Sequence, residues 1–198
     1  MRTLISAVGF CCLIQPLLAA ADVKGTCDRT IEADFQPGRN LRLELRSGDI
    51  EVIGMDAPKV RVSCDLKRPD EAKNVSIAFS GAGSFGDLRI RGGPNNDIHF
   101  RIEVPKNSHL FVRSPAGDLT VSGVVGDKDI EIHAGDVTIS VGNAGDYRHV
   151  DASVWAGDLN APAFGVNKDG LFRSFISDNP SGKYRLHAHL AAGDLTLK

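Results

Sequence analysis

The sequence predicts an all-β protein, a single-stranded β-solenoid with two short strands in each coil of about 18–22 residues. Three observations predict this fold. A Gly-Asp pair followed at once by an aliphatic residue occurs six times, the flanking residues alternate between apolar and polar, and residues 22–198 contain no sustained helical period. Such repetition indicates one small β unit stacked on copies of itself, which together bury a core that no single copy could bury alone.

The repeated Gly-Asp pairs are predicted to be turns between the two strands of a coil. Glycine adopts positive φ without a Cβ penalty, and the short aspartate carboxylate can accept backbone N–H groups within a turn. The six pairs are Gly48-Asp49, Gly86-Asp87, Gly117-Asp118, Gly135-Asp136, Gly157-Asp158 and Gly193-Asp194.

Apolar residues recur three, five and seven positions before several of these glycines, as at Leu45, Leu43 and Leu41 before Gly48. The alternation resumes after each turn. Strict period-two alternation is typical of half-buried strands, so these residues are expected to form aliphatic ladders that point inward. Lys128 interrupts the pattern before Gly135.

Residues 1–21 have the features of a secretory signal peptide: Arg2 near the start, an apolar stretch, and an Ala19-Ala20-Ala21 cleavage site. A transmembrane anchor is the alternative, but the apolar run is short for a span of about 20 residues. One domain is expected over residues 22–198, divided into N-terminal strands (22–66) and repeat coils (67–198) with an insertion near 165–182. The protein is expected to be secreted or periplasmic, with no membrane span after cleavage.

Two cysteines lie beyond the predicted signal peptide, Cys27 and Cys64. In an oxidising compartment an isolated pair is most simply a disulfide, and this one would fasten the N-terminal strands (22–66) where the repeat is least regular. A catalytic or metal-binding thiol is the alternative.

Composition argues against several functions. The formal net charge is −2 and no block of basic residues occurs, so binding to nucleic acid is not expected. Asp129, Glu131 and Asp151 are the carboxylates that a polysaccharide lyase or hydrolase would use, and Asp129 and Asp151 occupy equivalent positions in what would be adjacent coils. A solvated polar face explains them equally, and no enzymatic activity or cofactor is expected.

Two residue patterns could form a metal-binding site. A column of turn aspartates could hold Ca²⁺ and stabilise the solenoid, although each aspartate could instead accept N–H groups of its own turn. His187 and His189 lie two apart on one strand face, a spacing that can chelate. Neither pattern supplies a full ligand set, so no metal site is predicted.

Four outward residues form the predicted interaction face: Phe111, Glu131, His133 and Trp155. Outward aromatic rings could dock a glycan or an envelope protein. The alternative is that the 165–182 insertion, with Phe172 and Phe175, folds over Trp155 as cover. The last strand, ending at Leu197-Lys198, is expected to be an open edge that allows edge-to-edge self-association.

The repeated motifs resemble those of the toastrack family of bacterial β-strand repeat proteins, whose members carry the provisional label of adhesins. The elements that carry the resemblance are the Ser47–Val52 hexapeptide, Val104-Pro105-Lys106-Asn107, the repeats from Ala116 to Leu159, and the terminal Ala192–Leu197. The resemblance implies a right-handed β-solenoid in the cell envelope that serves as a non-enzymatic surface, scaffold or signal-sensing module. It offers no catalytic motif.

Overall fold

The computed structural model describes residues 21–198 as two nine-stranded mixed sheets that enclose one hydrophobic core. The fold is therefore all-β, as predicted. The predicted signal peptide lies outside the described residues, apart from Ala21 at the start of the first strand. Three short 3-10 helices, Pro69–Asn74, Ala144–Asp146 and Pro162–Phe164, are the helices within the described range. None of them is long and apolar enough to cross a membrane.

The first sheet, called sheet A, has parallel strands in its centre and antiparallel strands at its margins. In spatial order it contains β1 (Ala21–Thr26), β6 (Val75–Ala82), β7 (Phe85–Gly92), β3 (Asn40–Glu44), β9 (His109–Ala116), β11 (Lys128–Ala134), β17 (Tyr184–Ala192), β13 (Tyr147–Ala156) and β16 (Leu171–Asp178).

The second sheet, called sheet B, follows the same plan. In spatial order it contains β15 (Val166–Lys168), β14 (Leu159–Ala161), β18 (Leu195–Leu197), β12 (Val137–Ile139), β10 (Leu119–Ser122), β4 (Asp49–Met55), β8 (Ile98–Pro105), β5 (Lys59–Leu66) and β2 (Ile31–Asp34).

The repeated unit is one strand of sheet A, a Gly-Asp turn and one strand of sheet B. Its apolar residues form cross-strand ladders, because parallel strands in register place equivalent side chains side by side. One ladder of sheet A runs through Leu43, Val112, Ile130 and Ala188, all essentially buried. Each fully buried aliphatic side chain of this size contributes roughly 1.5–3 kcal/mol, so the ladders supply most of the cohesion between units.

The units are not stacked in chain order. The last unit, β17–β18, lies between β11–β12 and β13–β14 in both sheets. Two predictions are therefore wrong: Asp129 and Asp151 do not lie on adjacent strands, and the C-terminal strand is not an open edge. The edge strands at this end are instead β16 and β15, which come from the predicted insertion near 165–182.

Five of the six Gly-Asp pairs form a glycine ladder at the boundary of the two sheets. Its members are Gly48, Gly117, Gly135, Gly193 and Gly157, each with φ between +109° and +144°. A Cβ on Gly117 would lie 2.0 Å from the Gly48 carbonyl oxygen, and a Cβ on Gly193 would lie 2.1 Å from that of Gly135. Glycine is therefore required at these positions for two reasons. The positive φ strains any residue with a side chain, and the backbone of the neighbouring unit leaves no space for a Cβ.

The sixth pair is different. Gly86 and Asp87 lie inside β7, so the predicted turn at this position is wrong. A Cβ on Gly86 would approach the Phe35 ring to 2.6 Å. The glycine at this site makes room for a buried aromatic ring, and the hairpin turn between β6 and β7 lies three residues earlier, at Gly83-Ser84.

Cys27 and Cys64 form a disulfide, with their Cα atoms 5.4 Å apart. Cys27 directly follows β1 of sheet A, and Cys64 lies in β5 of sheet B. The bond therefore joins the two sheets at the end of the molecule where antiparallel strands replace the repeated units.

Candidate functional site

The outer face of sheet A carries two cross-strand rows of polar residues, each contributed by the same five strands. The first row is Arg42, Phe111, Asp129, His187 and Asp151 on β3, β9, β11, β17 and β13. The second row, on the same strands, is Glu44, Arg113, Glu131, His189 and Ser153.

The carboxylates that a glycosidase would use are already paired. Arg113 donates from Nη2 to Asp129 Oδ1 at 2.9 Å, and its Nε lies 3.1 Å from Glu131 Oε2. His187 separates Asp129 from Asp151, with its Nδ1 3.7 Å from Asp151 Oδ2. Sequence reasoning missed the role of Arg113, although its outward position on the strand before Asp129 was available as a signal. Asp129 and Glu131 thus share one guanidinium on this face.

The first row also lines a cavity of about 370 Å³ that involves Phe111, Asp129, Asp151 and His187. Beside it, one ligand atom from each of Asp129, Glu131 and His187 lies within 4.8 Å of the other two, a set that could hold a metal ion. A dication bound there would compete with the Arg113 guanidinium for the same two carboxylates. His189 is not part of this set, and its Nδ1 is hydrogen-bonded to Ser153 Oγ at 2.7 Å.

The turn aspartates form a second ladder beside the glycines. Asp118 Oδ1 accepts the backbone N–H of Asp136, Asp136 Oδ1 that of Asp194, and Asp194 Oδ1 that of Asp158, each at 2.9 Å. Asp158 Oδ1 accepts from Gly170 at 3.2 Å. Each of these carboxylates thus bonds the neighbouring unit and not its own turn, which corrects the interpretation that the aspartates satisfy N–H groups locally. Their recurrence is explained without calcium.

This ladder gives a testable prediction. Asp136→Ala removes the acceptor of the Asp194 N–H and should lower the free energy of unfolding by about 1 kcal/mol, the net worth of one such hydrogen bond at an exposed site. Asp136→Asn keeps an Oδ1 acceptor and should lose less. Urea unfolding followed by circular dichroism measures both. EDTA should leave the wild-type midpoint unchanged; a lower midpoint in EDTA would instead support calcium binding to the column.

A group of exposed apolar side chains lies at the β13–β16 edge of sheet A. Trp155 is 60% exposed, Leu171 62%, Phe172 75% and Ile176 63%. These four residues are called the ring patch. The ring centroids of Trp155 and Phe172 are 6.3 Å apart with their planes inclined at 58°. The rings form an open, tilted pair on the surface.

The insertion therefore does not cover Trp155, and that alternative is wrong. Phe172 touches the indole but leaves it mostly exposed, whereas Phe175 turns inward and packs 5.5 Å from the Phe164 ring. Of the predicted interaction face, only Trp155 belongs to the ring patch. Phe111 and Glu131 lie with the paired charges, and His133 on β11 is separated from Trp155 by the whole of β17.

The backbone of Phe172 is unusual. Its φ is +55°, a left-handed conformation that bulky residues rarely adopt. Such a conformation costs on the order of 1–3 kcal/mol and persists only where the surroundings enforce it. Burial of the side chain does not offset this conformational free energy, because the Phe172 ring is the most exposed of the four in the ring patch.

One charged residue of the same sheet is buried. Lys128 occupies an inward position between Leu110 and Leu186. Its Nζ donates to the Tyr147 hydroxyl at 2.6 Å and to the Gly126 carbonyl at 3.2 Å. Burial lowers the pKa of Lys128 from 10.5 to about 8, partly opposed by Asp127, and burial also raises the pKa of Tyr147. The sequence showed this residue only as a break in the apolar pattern.

Comparison with known proteins adds one finding. No protein-family model matches the sequence, and no curated protein matches it. The chain is similar to a crystal structure described as a "putative cell adhesion protein" from Clostridium sporogenes, with a TM-score of 0.53 and 14% sequence identity. The similarity covers 86% of this chain and 98% of that one. At this identity the likeness concerns the fold, and membership of the toastrack family stays a prediction.

Proposed function

We propose that this protein is an exported, non-enzymatic, adhesin-like recognition module of the cell envelope that binds its partner through the ring patch. Its units are taken to wind as a right-handed solenoid, the form that the toastrack resemblance implies. The observation that carries the proposal is the exposed ring pair of Trp155 on β13 and Phe172 on β16, with Leu171 and Ile176 also exposed on β16.

Exposed apolar residues are ordinary when scattered and informative when contiguous. Among the described residues, the remaining large exposed ones are Phe85 and Val125, which lie on other parts of the protein. Trp155 also lies on β13, which is paired on both sides, so the indole is presented by a rigid element. A rigid aromatic anchor loses little conformational entropy on binding.

Three further observations support export, an adhesin-like role and a non-enzymatic function. The disulfide between Cys27 and Cys64 is typical of proteins in oxidising compartments. The similar crystal structure is described as a "putative cell adhesion protein". The pairing of Arg113 with Asp129 and Glu131 leaves the best candidate carboxylates neutralised, which favours a non-enzymatic role.

The proposal is tested by binding of the fluorescently labelled protein, residues 22–198, to cell envelopes of the source organism. Trp155→Ala and Phe172→Ala should each reduce binding at least tenfold, because each removes one ring of the pair. Phe85→Ala is the matched control, since Phe85 is 58% exposed at the far side of the same sheet. Thermal unfolding checks that all three variants fold. Equal binding by all of them would refute a role for the ring patch.

A further inference from the structure

We infer that the ring patch binds a polysaccharide, with sugar rings stacked on Trp155 and Phe172. The inference rests on the proposed function and adds the chemical class of the ligand. The two rings are more than half exposed and lie 6.3 Å apart between centroids, with their planes inclined at 58°. The negative face of an aromatic ring attracts the weakly positive C–H groups on the face of a pyranose ring.

The polar groups beside the rings suit a ligand rich in hydroxyls. Ser153 and Ser174 lie opposite each other on β13 and β16, and His189 lies edge-on to Trp155 with 6.5 Å between ring centroids. Hydroxyl and imidazole groups can each donate or accept a hydrogen bond. Since Ser153 occupies Nδ1 of His189, Nε2 is the nitrogen that the imidazole can offer a ligand.

The size of the patch also favours a sugar chain over a folded protein. Trp155 and Phe172, the two members of the patch that lie against each other, present on the order of 250 Å² of surface. A stable protein interface needs roughly 800 Å² on each partner. A chain of a few sugar residues can use the smaller area completely.

A second copy of this protein is the competing occupant, because β16 is an edge strand. Two features protect that edge. Lys168 Nζ donates to the Ser174 carbonyl at 2.6 Å, and the left-handed backbone of Phe172 interrupts the extended conformation. A lysine and a break in the strand are devices that prevent edge-to-edge pairing. They leave the rings on the outer face accessible while blocking the ladder of backbone groups.

The unfavourable backbone of Phe172 is an independent reason to expect a ligand. Strained residues concentrate at ligand-binding positions, where the geometry serves binding and not folding. In this protein the strain places an exposed ring beside the Trp155 indole.

The test uses the fact that Trp155 is the single tryptophan of the chain, so its fluorescence reports on the patch directly. The probe is polysaccharide extracted with phenol from protease-treated envelopes. Titration should change the wild-type fluorescence with saturation. Phe172→Ala, which keeps the indole, should weaken the apparent affinity at least tenfold, and Phe85→Ala should leave it unchanged.

Binding to whole envelopes separates this inference from the proposed function. Pretreating the envelopes with periodate, which cleaves sugar diols, should abolish the binding that depends on Trp155. Pretreating them with protease should leave that binding intact. Binding that is lost to protease and survives periodate would overturn the polysaccharide inference while the proposed function stands. Binding that does not depend on Trp155 at all would overturn both. Concentration-dependent dimerisation abolished by Phe172→Ala would assign the patch to a second copy instead.

Discussion

Gly117→Ala is expected to lower the free energy of unfolding by about 4 kcal/mol or more, because two independent costs add. Gly117 has φ +109°, where an L side chain is strained, and an added Cβ would lie 2.0 Å from the Gly48 carbonyl oxygen. That oxygen belongs to a backbone held between units on both sides, so it cannot move away alone. A loss of this size would take most of the stability of an ordinary domain. Urea unfolding and soluble yield measure it.

Gly170→Ala is the matched control. Gly170 has nearly the same φ, +108°, but the atom nearest to an added Cβ is Arg173 Nη2 at 2.8 Å. The end of a flexible side chain can move, so the cost should be limited to the backbone strain, about 1–3 kcal/mol. Equal destabilisation by the two variants would show that φ alone explains the glycine ladder and that close stacking adds nothing.

The double variant Lys128→Leu with Tyr147→Phe is expected to stabilise the protein near neutral pH by up to roughly 3 kcal/mol, which is the free energy corresponding to a pKa of about 8 in place of 10.5. It replaces a buried charge by an aliphatic residue between Leu110 and Leu186. Changing Tyr147 as well avoids leaving its hydroxyl buried without a partner.

The pH dependence of stability has a definite sign. Because the pKa of Lys128 is lower in the folded protein, the unfolded chain holds the proton more tightly between pH 8 and 10.5. Wild-type stability should therefore rise relative to the double variant across this window, and the full cost of burying the charge should be present below pH 8. Burial raises the pKa of Tyr147, so its phenol stays neutral in the folded protein but begins to ionise in the unfolded chain near pH 10, which opposes the gain from Lys128 at the upper end of this window.

The measurement is the difference in urea unfolding free energy between wild type and double variant at pH 7, 8.5 and 10. Lys106→Leu serves as the control, because Lys106 is exposed and its removal should not alter the pH dependence. A difference between the double variant and wild type that stays constant over these pH values would mean that Lys128 is not desolvated as described.

The candidate site could be predicted only in part. Trp155 was identified as an outward aromatic residue because period-two alternation assigns each residue of a strand to a face. Its contacts with Phe172 and His189 could not be predicted, since they depend on which strands flank β13. The pairing of Arg113 with Asp129 and Glu131 was also missed, because it depends on β9 and β11 lying side by side in sheet A. The left-handed backbone of Phe172 has no local sequence signal.

The sequence by itself determined the strands, their inward and outward faces, the glycine turns and the two cysteines that pair, because these follow from local alternation and from the conformational needs of single residues. Only the tertiary structure decided that β17–β18 inserts between β11–β12 and β13–β14. The units carry nearly the same apolar pattern in the same register, so any stacking order would satisfy that pattern. The observed order places His187 between Asp129 and Asp151 and puts the C-terminal strand β18 in the interior of sheet B.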